Sequence, residues 1–347
     1  MTTSKLIRAP LWATLLIALV AAMVSLFVFV PSSEGAPAGD KPTYEPYIIN
    51  GEPVPNGKYP FMAALIDPNL SPSPKLQDDL KCGGSLIDKT HVLTAGHCVF
   101  EGGDVGFDPG VNKYQVIVGR TVLTSNQGQV RSIEDIDVHP KYGGASDVTT
   151  AGRFKFDAAV IELSRPVKGI KPIELATSKQ NNLERAGRHA TIAGWGSIIP
   201  HNPCLEQVSE IPNRMQEAQV PILSDSRADK LAQEPLRCPG EAPIQDDVFF
   251  PKLMIGAGGV EKTGTCQGDS GGPLFVRTSG HDDNGKNGDD DNGGKYTQIG
   301  ITSYTLGCGA NNPDGFTEVN AKPILSFIER AADNGNGDDN GDNDNDK

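Results

Sequence analysis

The chain has 347 residues, with 44 Asp and Glu against 31 Lys and Arg, a net charge of −13. That balance argues against nucleic acid or an anionic membrane as a partner, since both repel a negative surface. The length allows one large domain or two medium ones.

From the N-terminus, Lys5 and Arg8 precede an uncharged run from Ala9 to Ser33, densest between Leu11 and Val30. Such a run is long enough to span a bilayer, and a basic start before an apolar core is also the pattern of a signal peptide. Ala36-Pro37-Ala38 offers a cleavage signal. Residues 1–38 are therefore expected to be a cleaved signal peptide, with a membrane anchor as the alternative. Either exports the rest, so the protein is expected to be secreted, membrane-attached only through a retained anchor. Six cysteines, at 82, 98, 204, 238, 266 and 308, then read as a disulfide set. A zinc site is the rival reading, but no C-x2-C pair supports one.

From Tyr47 onward, short β-rich runs alternate with Gly, Pro, Asn and Asp turns: FMAALI, YQVIVG, AAVIEL, ATIAGWG, PLFVRT and YTQIGITSY. No long amphipathic helix interrupts them. The exception is the terminal NAKPILSFIERAA, where Ile324, Leu325, Phe327 and Ile328 recur at helical spacing. The pattern predicts an all-β domain of barrels or sandwiches with a docked C-terminal helix.

Much of the negative charge sits in two low-complexity runs, His281 to Lys295 and Asp333 to Lys347. Neither can bury apolar surface, so both are expected to be solvated. As a calcium loop, the best EF-hand frame starts at Asn336 and ends on Lys347 where the motif needs Glu. A solvating acidic spacer is the favoured reading.

The stretch TCQGDSGGPLFV, Thr265 to Val276, raises the catalytic question. A serine needs a base within reach and donors for an oxyanion before it can act as a nucleophile. Flanking glycines allow a sharp turn and close approach of a substrate. A tight turn between strands is the bland alternative. The segment also satisfies G-x-S-x-G, but that elbow needs a following helix and a later acid and histidine. Here Pro273 and a strand-like run follow, and the only later histidine is His281 in the acidic run. Upstream partners are better placed. His97 follows an apolar strand in GGSLIDKTHVLTAGHCVF, and Asp157 heads a buried strand in RFKFDAAVIEL. The order His, Asp, Ser, each at a strand end, is far more specific than any one of them.

These residues and motifs make the chain resemble the trypsin/chymotrypsin family of serine proteases. The resemblance rests on IING (48–51), CGGSLI (82–87), LTAGHC (93–98), DAAVIEL (157–163), GWG (194–196), GDSGGP (268–273) and GITSY (300–304), in family order. It implies two six-stranded antiparallel Greek-key barrels with the active site between them, over residues 48–332. By resemblance, Ser270 attacks the scissile carbonyl, His97 moves its proton, and Asp157 holds the imidazole; this family is also the standard worked case of that chemistry. Gly268 and Ser270 would supply oxyanion N–H groups. Ser303 would support the aspartate, and the Ser303, Tyr304 and Thr305 backbone would pair with substrate as an added strand. Substrates are proteins or peptides, and no cofactor or metal is expected. The family's calcium loop after IVGR is short here and lacks its glutamates. A monomer is expected. A protease homologue that only binds partners is the rival from another class, but such proteins usually lose a triad residue and none is lost here.

The resemblance also implies activation by cleavage. A freed N-terminal Ile48 would fold inward and pair with Asp269, after removal of a short propeptide, residues 39–47. Tyr47 precedes the cut where trypsin-activated zymogens carry Lys or Arg, so the activating protease must accept Tyr. The implied disulfides are Cys82–Cys98 and Cys266–Cys308. The family's other bridge near the pocket is absent, its positions held by Ala228 and Gly256. Cys204 and Cys238 remain and are paired with each other. The specificity pocket would be lined by Gly264, Thr265, Thr305 and Asp314. Gly264 stands where trypsin-like members carry a floor aspartate, and Thr305 narrows the rim. Both point to cleavage after small or aliphatic residues. Asp314 leaves Lys/Arg preference as the alternative.

Overall fold

The computed structural model describes residues 48–68, 75–100, 111, 113–143, 154–200, 209–233, 248–260, 262–278 and 295–334. The leader and propeptide with Tyr47, the Cys204–Cys238 pairing, residues 281–294 of the acidic insert and the tail from residue 335 lie outside the described residues.

The first half forms strands β2 (Met62–Ile66), β3 (Leu80–Leu86), β4 (His91–Thr94), β5 (Gln115–Val118), β6 (Gln129–Val138) and β7 (Ala159–Leu163), after a two-residue β1 (Glu52–Pro53). β2 to β7 close into an antiparallel barrel in the order β2-β3-β4-β7-β6-β5. Both faces of β2 and β4 are buried, because their inward residues fill the barrel while the outward ones are covered by neighbouring elements. That explains near-continuous apolar runs where simple alternation would otherwise be expected.

The second half adds β8 (Glu174–Leu175), β9 (His189–Gly194), β10 (Gln216–Pro221), β11 (Met254–Ala257), β12 (Pro273–Thr278), β13 (Lys295–Tyr304) and β14 (Asp314–Glu318). Six of these run β10-β9-β12-β13-β14-β11, and an antiparallel bridge between Ile222 and Ala257 brings the two end strands together. The six-stranded antiparallel second barrel is as expected, and two short strands add to its sheet. The sheet has eight strands, because β1 adds to β10 and β8 pairs with β13 in parallel. Both additions are two residues long and carry no period-2 apolar pattern that would mark them.

Among the described residues three α-helices accompany the barrels: α1 (Gly96–Val99), α2 (Asp225–Ala232) and α3 (Lys322–Asn334). α3 buries Ile324, Phe327, Ile328 and Ala331 against the first barrel's core. It runs to Asn334, so Asp333 and Asn334 belong to the helix and not to the acidic tail. Between the two barrels, Tyr59, Phe61, Phe275 and Tyr296 pack mostly edge-to-face at 5.0–5.8 Å, a geometry favoured by the ring quadrupoles. No helix among the described residues is long and apolar enough to cross a membrane.

Candidate active site

β4 ends at Thr94 and the chain turns into the single-turn α1, which carries His97. The Cys82–Cys98 disulfide ties that turn back to β3. Asp157 arrives from the other side, just before β7. It is fully buried, and Phe156 before it takes a left-handed conformation, φ +57°. For a bulky residue that conformation is costly and persists only where the surroundings enforce it. Here the Phe156 ring stacks on His139 at 4.8 Å, and Lys141 lies over it at 5.5 Å. The strained residue aims the aspartate.

The carboxylate of Asp157 is fully engaged. Its Oδ1 accepts from the His97 backbone N–H at 2.9 Å. Its Oδ2 lies 2.8 Å from His97 Nδ1 and accepts from Ser303 Oγ at 2.6 Å. Thr317 Oγ1 donates to the Asp157 backbone carbonyl at 2.9 Å. Burial pulls the His97 pKa down, but the charge and hydrogen bond of Asp157 outweigh it, so the imidazole titrates above its ordinary value. The carboxylate therefore holds one tautomer, with the Nδ1 proton toward Asp157 and Nε2 free to accept.

Ser270 sits in a turn that the first barrel grips directly. Gly83 N–H donates to the Ser270 carbonyl at 2.7 Å. At Gly271, φ is +77° and a Cβ would fall 2.1 Å from Thr94 Oγ1 and 2.6 Å from the Gly83 carbonyl oxygen. Only glycine lets the serine turn lie this close to the strand leading to His97. Gly268 also has positive φ, +97°. Among the described residues, neither the Gly268 nor the Ser270 N–H donates a hydrogen bond, so both remain available to a developing oxyanion. No hydrogen bond joins Ser270 Oγ to His97 in this structure; such contacts are often long before substrate binds.

Gly264, Thr265 and Asp314, expected to line the pocket, lie together. Asp314 is buried, and its Oδ2 accepts from the Thr265 N–H at 2.6 Å and Thr265 Oγ1 at 2.9 Å. A Cβ on Gly264 would fall 2.8 Å from the same oxygen, so the carboxylate occupies the space beside Gly264. Burial pushes Asp314 up to about 6, offset by the Thr265 bonds and the neighbouring Thr305 hydroxyl. Tyr304 packs on Gly315 and on the Phe154 ring at 4.6 Å. The Cys266–Cys308 disulfide links the serine loop to the segment after β13. Ala228 and Gly256 face each other, a Cβ on Gly256 falling 2.4 Å from Ala228 Cβ.

Ile48 is fully buried in the core of the second barrel, and Ile49 bridges to Gly264. Asp269 is buried too, its carboxylate accepting from Gly196 N–H at 2.7 Å and Cys266 N–H at 3.0 Å. Burial first, then the nearby Asp314 charge, push it up to about 7. Among the described residues it has no salt-bridge partner. The one tight cluster of metal-type side chains there is Cys82, His97 and Cys98, and its cysteines are spent in a disulfide.

Two packed β-barrels carrying a buried Asp157–His97 pair and a glycine-rich serine turn have the architecture of a serine hydrolase of the double-barrel class. The family model described as Trypsin matches residues 48–328. The chain belongs to the trypsin family of serine proteases and is a peptidase acting on protein substrates. The trypsin of Saccharopolyspora erythraea is 31% identical over 75% of this chain and 88% of its own length. Serine protease Hayan of Drosophila melanogaster is 28% identical over 86% of this chain, which spans 41% of that protein. Among solved structures, neuropsin, a serine protease expressed in the limbic system of mouse brain, shares the fold. Its TM-score is 0.57 at 24% identity, covering 81% of this chain and 98% of that one.

Proposed function

We propose that this protein is an exported serine endopeptidase in which Ser270, His97 and Asp157 carry out acyl transfer. The observation that carries the reading is the triple engagement of Asp157 by His97 and Ser303, beside two unpaired N–H groups on the serine turn. Ser270 Oγ attacks the substrate carbonyl while its proton passes to His97 Nε2. The imidazolium is stabilised by Asp157, and the oxyanion is met by the Gly268 and Ser270 N–H groups. His97 then returns the proton to the leaving amine, and water repeats the sequence on the acyl-enzyme. A fluorophosphonate probe should label the processed protein at one site and fail on Ser270→Ala. Labelling of another serine, or none, overturns the assignment.

Activation follows from Ile48 and Asp269. Among the described residues the buried carboxylate has no cationic partner, and Ile48 is held at φ +33°, unfavourable for a β-branched residue. Cutting after Tyr47 removes the carbonyl that defines this torsion and supplies an α-ammonium for Asp269. Active enzyme should therefore begin IINGEPV.

For the residue preceding the cut, small and aliphatic side chains fit best. Two hydrogen bonds from Thr265 occupy Asp314 Oδ2, which lowers the cost of an apolar group beside it. A specific observation favours a second reading. Asp314 Oδ1 accepts no hydrogen bond among the described residues, so it is open to a Lys or Arg side chain.

A further inference from the structure

A pocket of about 330 Å³ opens between α3 and residues 139–141, which follow β6. None of its lining residues belongs to the candidate active site. The two walls are tied through one ring. Lys141 N–H donates to His139 Nδ1 at 3.1 Å, and His139 Nε2 reaches the Pro323 carbonyl at 3.3 Å. Pro140 and Pro323 supply apolar surface. Lys322, Ser326 and Arg330 line the helix side and recur every fourth residue, so they stand in one row along α3. Lys141 lines the opposite wall.

Three cations thus share one pocket on a chain of net charge −13. All three are exposed, and none makes an ion pair among the described residues. Gathered like charges repel, and an anion between them would relieve that. One anionic segment is already attached. Residues 335–347, outside the described residues, follow directly on α3 and carry Asp338, Asp339, Asp342, Asp344 and Asp346. Lys322 and Arg330 are eight residues apart, about 12 Å along a helix. Aspartates four apart, such as Asp338 and Asp342, stand about 13 Å apart on an extended chain, which matches that row. α3 is about 20 Å long, whereas thirteen extended residues reach about 43 Å, enough to fold back along it. Gly335 and Gly337 permit the reversal. Exposed ion pairs are individually weak, so a free acidic peptide gains little here. A short tether gives this segment a millimolar effective concentration instead.

We propose that the acidic segment 335–347 folds back along α3 and docks its aspartates on Lys141, Lys322 and Arg330 in this pocket. The Ser326 hydroxyl adds a neutral donor in the middle of the row. Docking bridges the two walls whose His139 ring stacks on Phe156, the residue before Asp157.

The test is zero-length crosslinking of the full chain carrying Ser270→Ala with a water-soluble carbodiimide, which joins carboxylates to amines in direct contact. The monomer fraction is digested and its crosslinks are mapped by mass spectrometry. The expected links run from the aspartates of 338–346 to Lys141 and Lys322. Their yield should fall at least tenfold at about 1 M salt, where screening acts within about 3 Å. Arg330→Gln, which removes no amine, should lower it severalfold. Changing the five aspartates to Asn should abolish it. Because the three cations are exposed, their replacement leaves the core untouched. Links spread equally over lysines outside the pocket, such as Lys155 and Lys252, overturn the proposal. So do links found only between chains, links from the pocket to the acidic run 281–294 in place of 338–346, or no links.

Discussion

Ser303 Oγ donates to Asp157 Oδ2 at 2.6 Å across 146 residues of sequence, on the same oxygen that holds His97. Losing that donor leaves the carboxylate more basic and less rigid. Hydrogen bonds to charged groups contribute about 1.5–3 kcal/mol. Ser303→Ala should therefore lower kcat by about tenfold or more, since 1.36 kcal/mol is tenfold in rate. It should also raise the His97 pKa further, shifting the acid limb of the kcat/KM profile to higher pH. The limb falls as pH drops, because protonated His97 cannot accept from Ser270. A loss of activity with no change in that limb would place Ser303 outside the network.

Asp269 makes stability depend on pH in a defined direction. Its folded pKa is raised from 3.8 to about 7, so its contribution is fully present below the unfolded value. It is lost as pH rises through the folded value. The Tm of the unprocessed chain should therefore fall between about pH 4 and 7. Asp269→Asn should flatten that fall. In the processed enzyme the Ile48 ammonium compensates the charge, so the slope should be smaller. Equal slopes before and after cleavage would contradict the pairing of Ile48 with Asp269.

Matched peptides differing only in the residue before the cut test the pocket. Ala, Val and Leu should give a higher kcat/KM than Arg at pH 8, and discrimination among the three should stay within about 1–3 kcal/mol. If Arg exceeds Val by more than tenfold, and its advantage grows as pH rises through about 6, Asp314 reads charge. Asp314→Ser would then remove the Arg preference while leaving Ser270 reactive.

The two disulfides among the described residues close loops with sequence separations of 16 and 42 residues. In the chain-entropy model these are worth about 3 and 4 kcal/mol respectively. Replacing Cys82 and Cys98 together by Ala should cost about the smaller figure in denaturant unfolding, and Cys266 with Cys308 about the larger. A reversed ranking would mean that native-state effects outweigh loop closure.

The fold class and the triad candidates were legible because glycine and polar residues sat at strand ends in a fixed order. What escaped the sequence has physical causes. β1 and β8 are two residues long and gain their pairing from strands already built. The left-handed Phe156 follows from packing on His139 and carries no composition signal. Thr317 reaches the Asp157 carbonyl from 160 residues away, a contact no local pattern announces. Asp314 was expected near Thr265, and the two hydrogen bonds between them depend on the space left by Gly264.

The meeting of Ala228 and Gly256 carries a consequence for how this wall of the pocket can change. The expected bridge of the family would fall here; the backbones lie so close that a Cβ on Gly256 would stand 2.4 Å from that of Ala228. A disulfide needs about 3.5–4.5 Å between those atoms. Cysteine at 256 alone collides, and the pair of cysteines is too close to bridge unless α2 backs away from β11. A path that begins at Gly256 thus passes through a misfit, and one that begins at Ala228 ends on a pair too close to bridge without movement of the backbone.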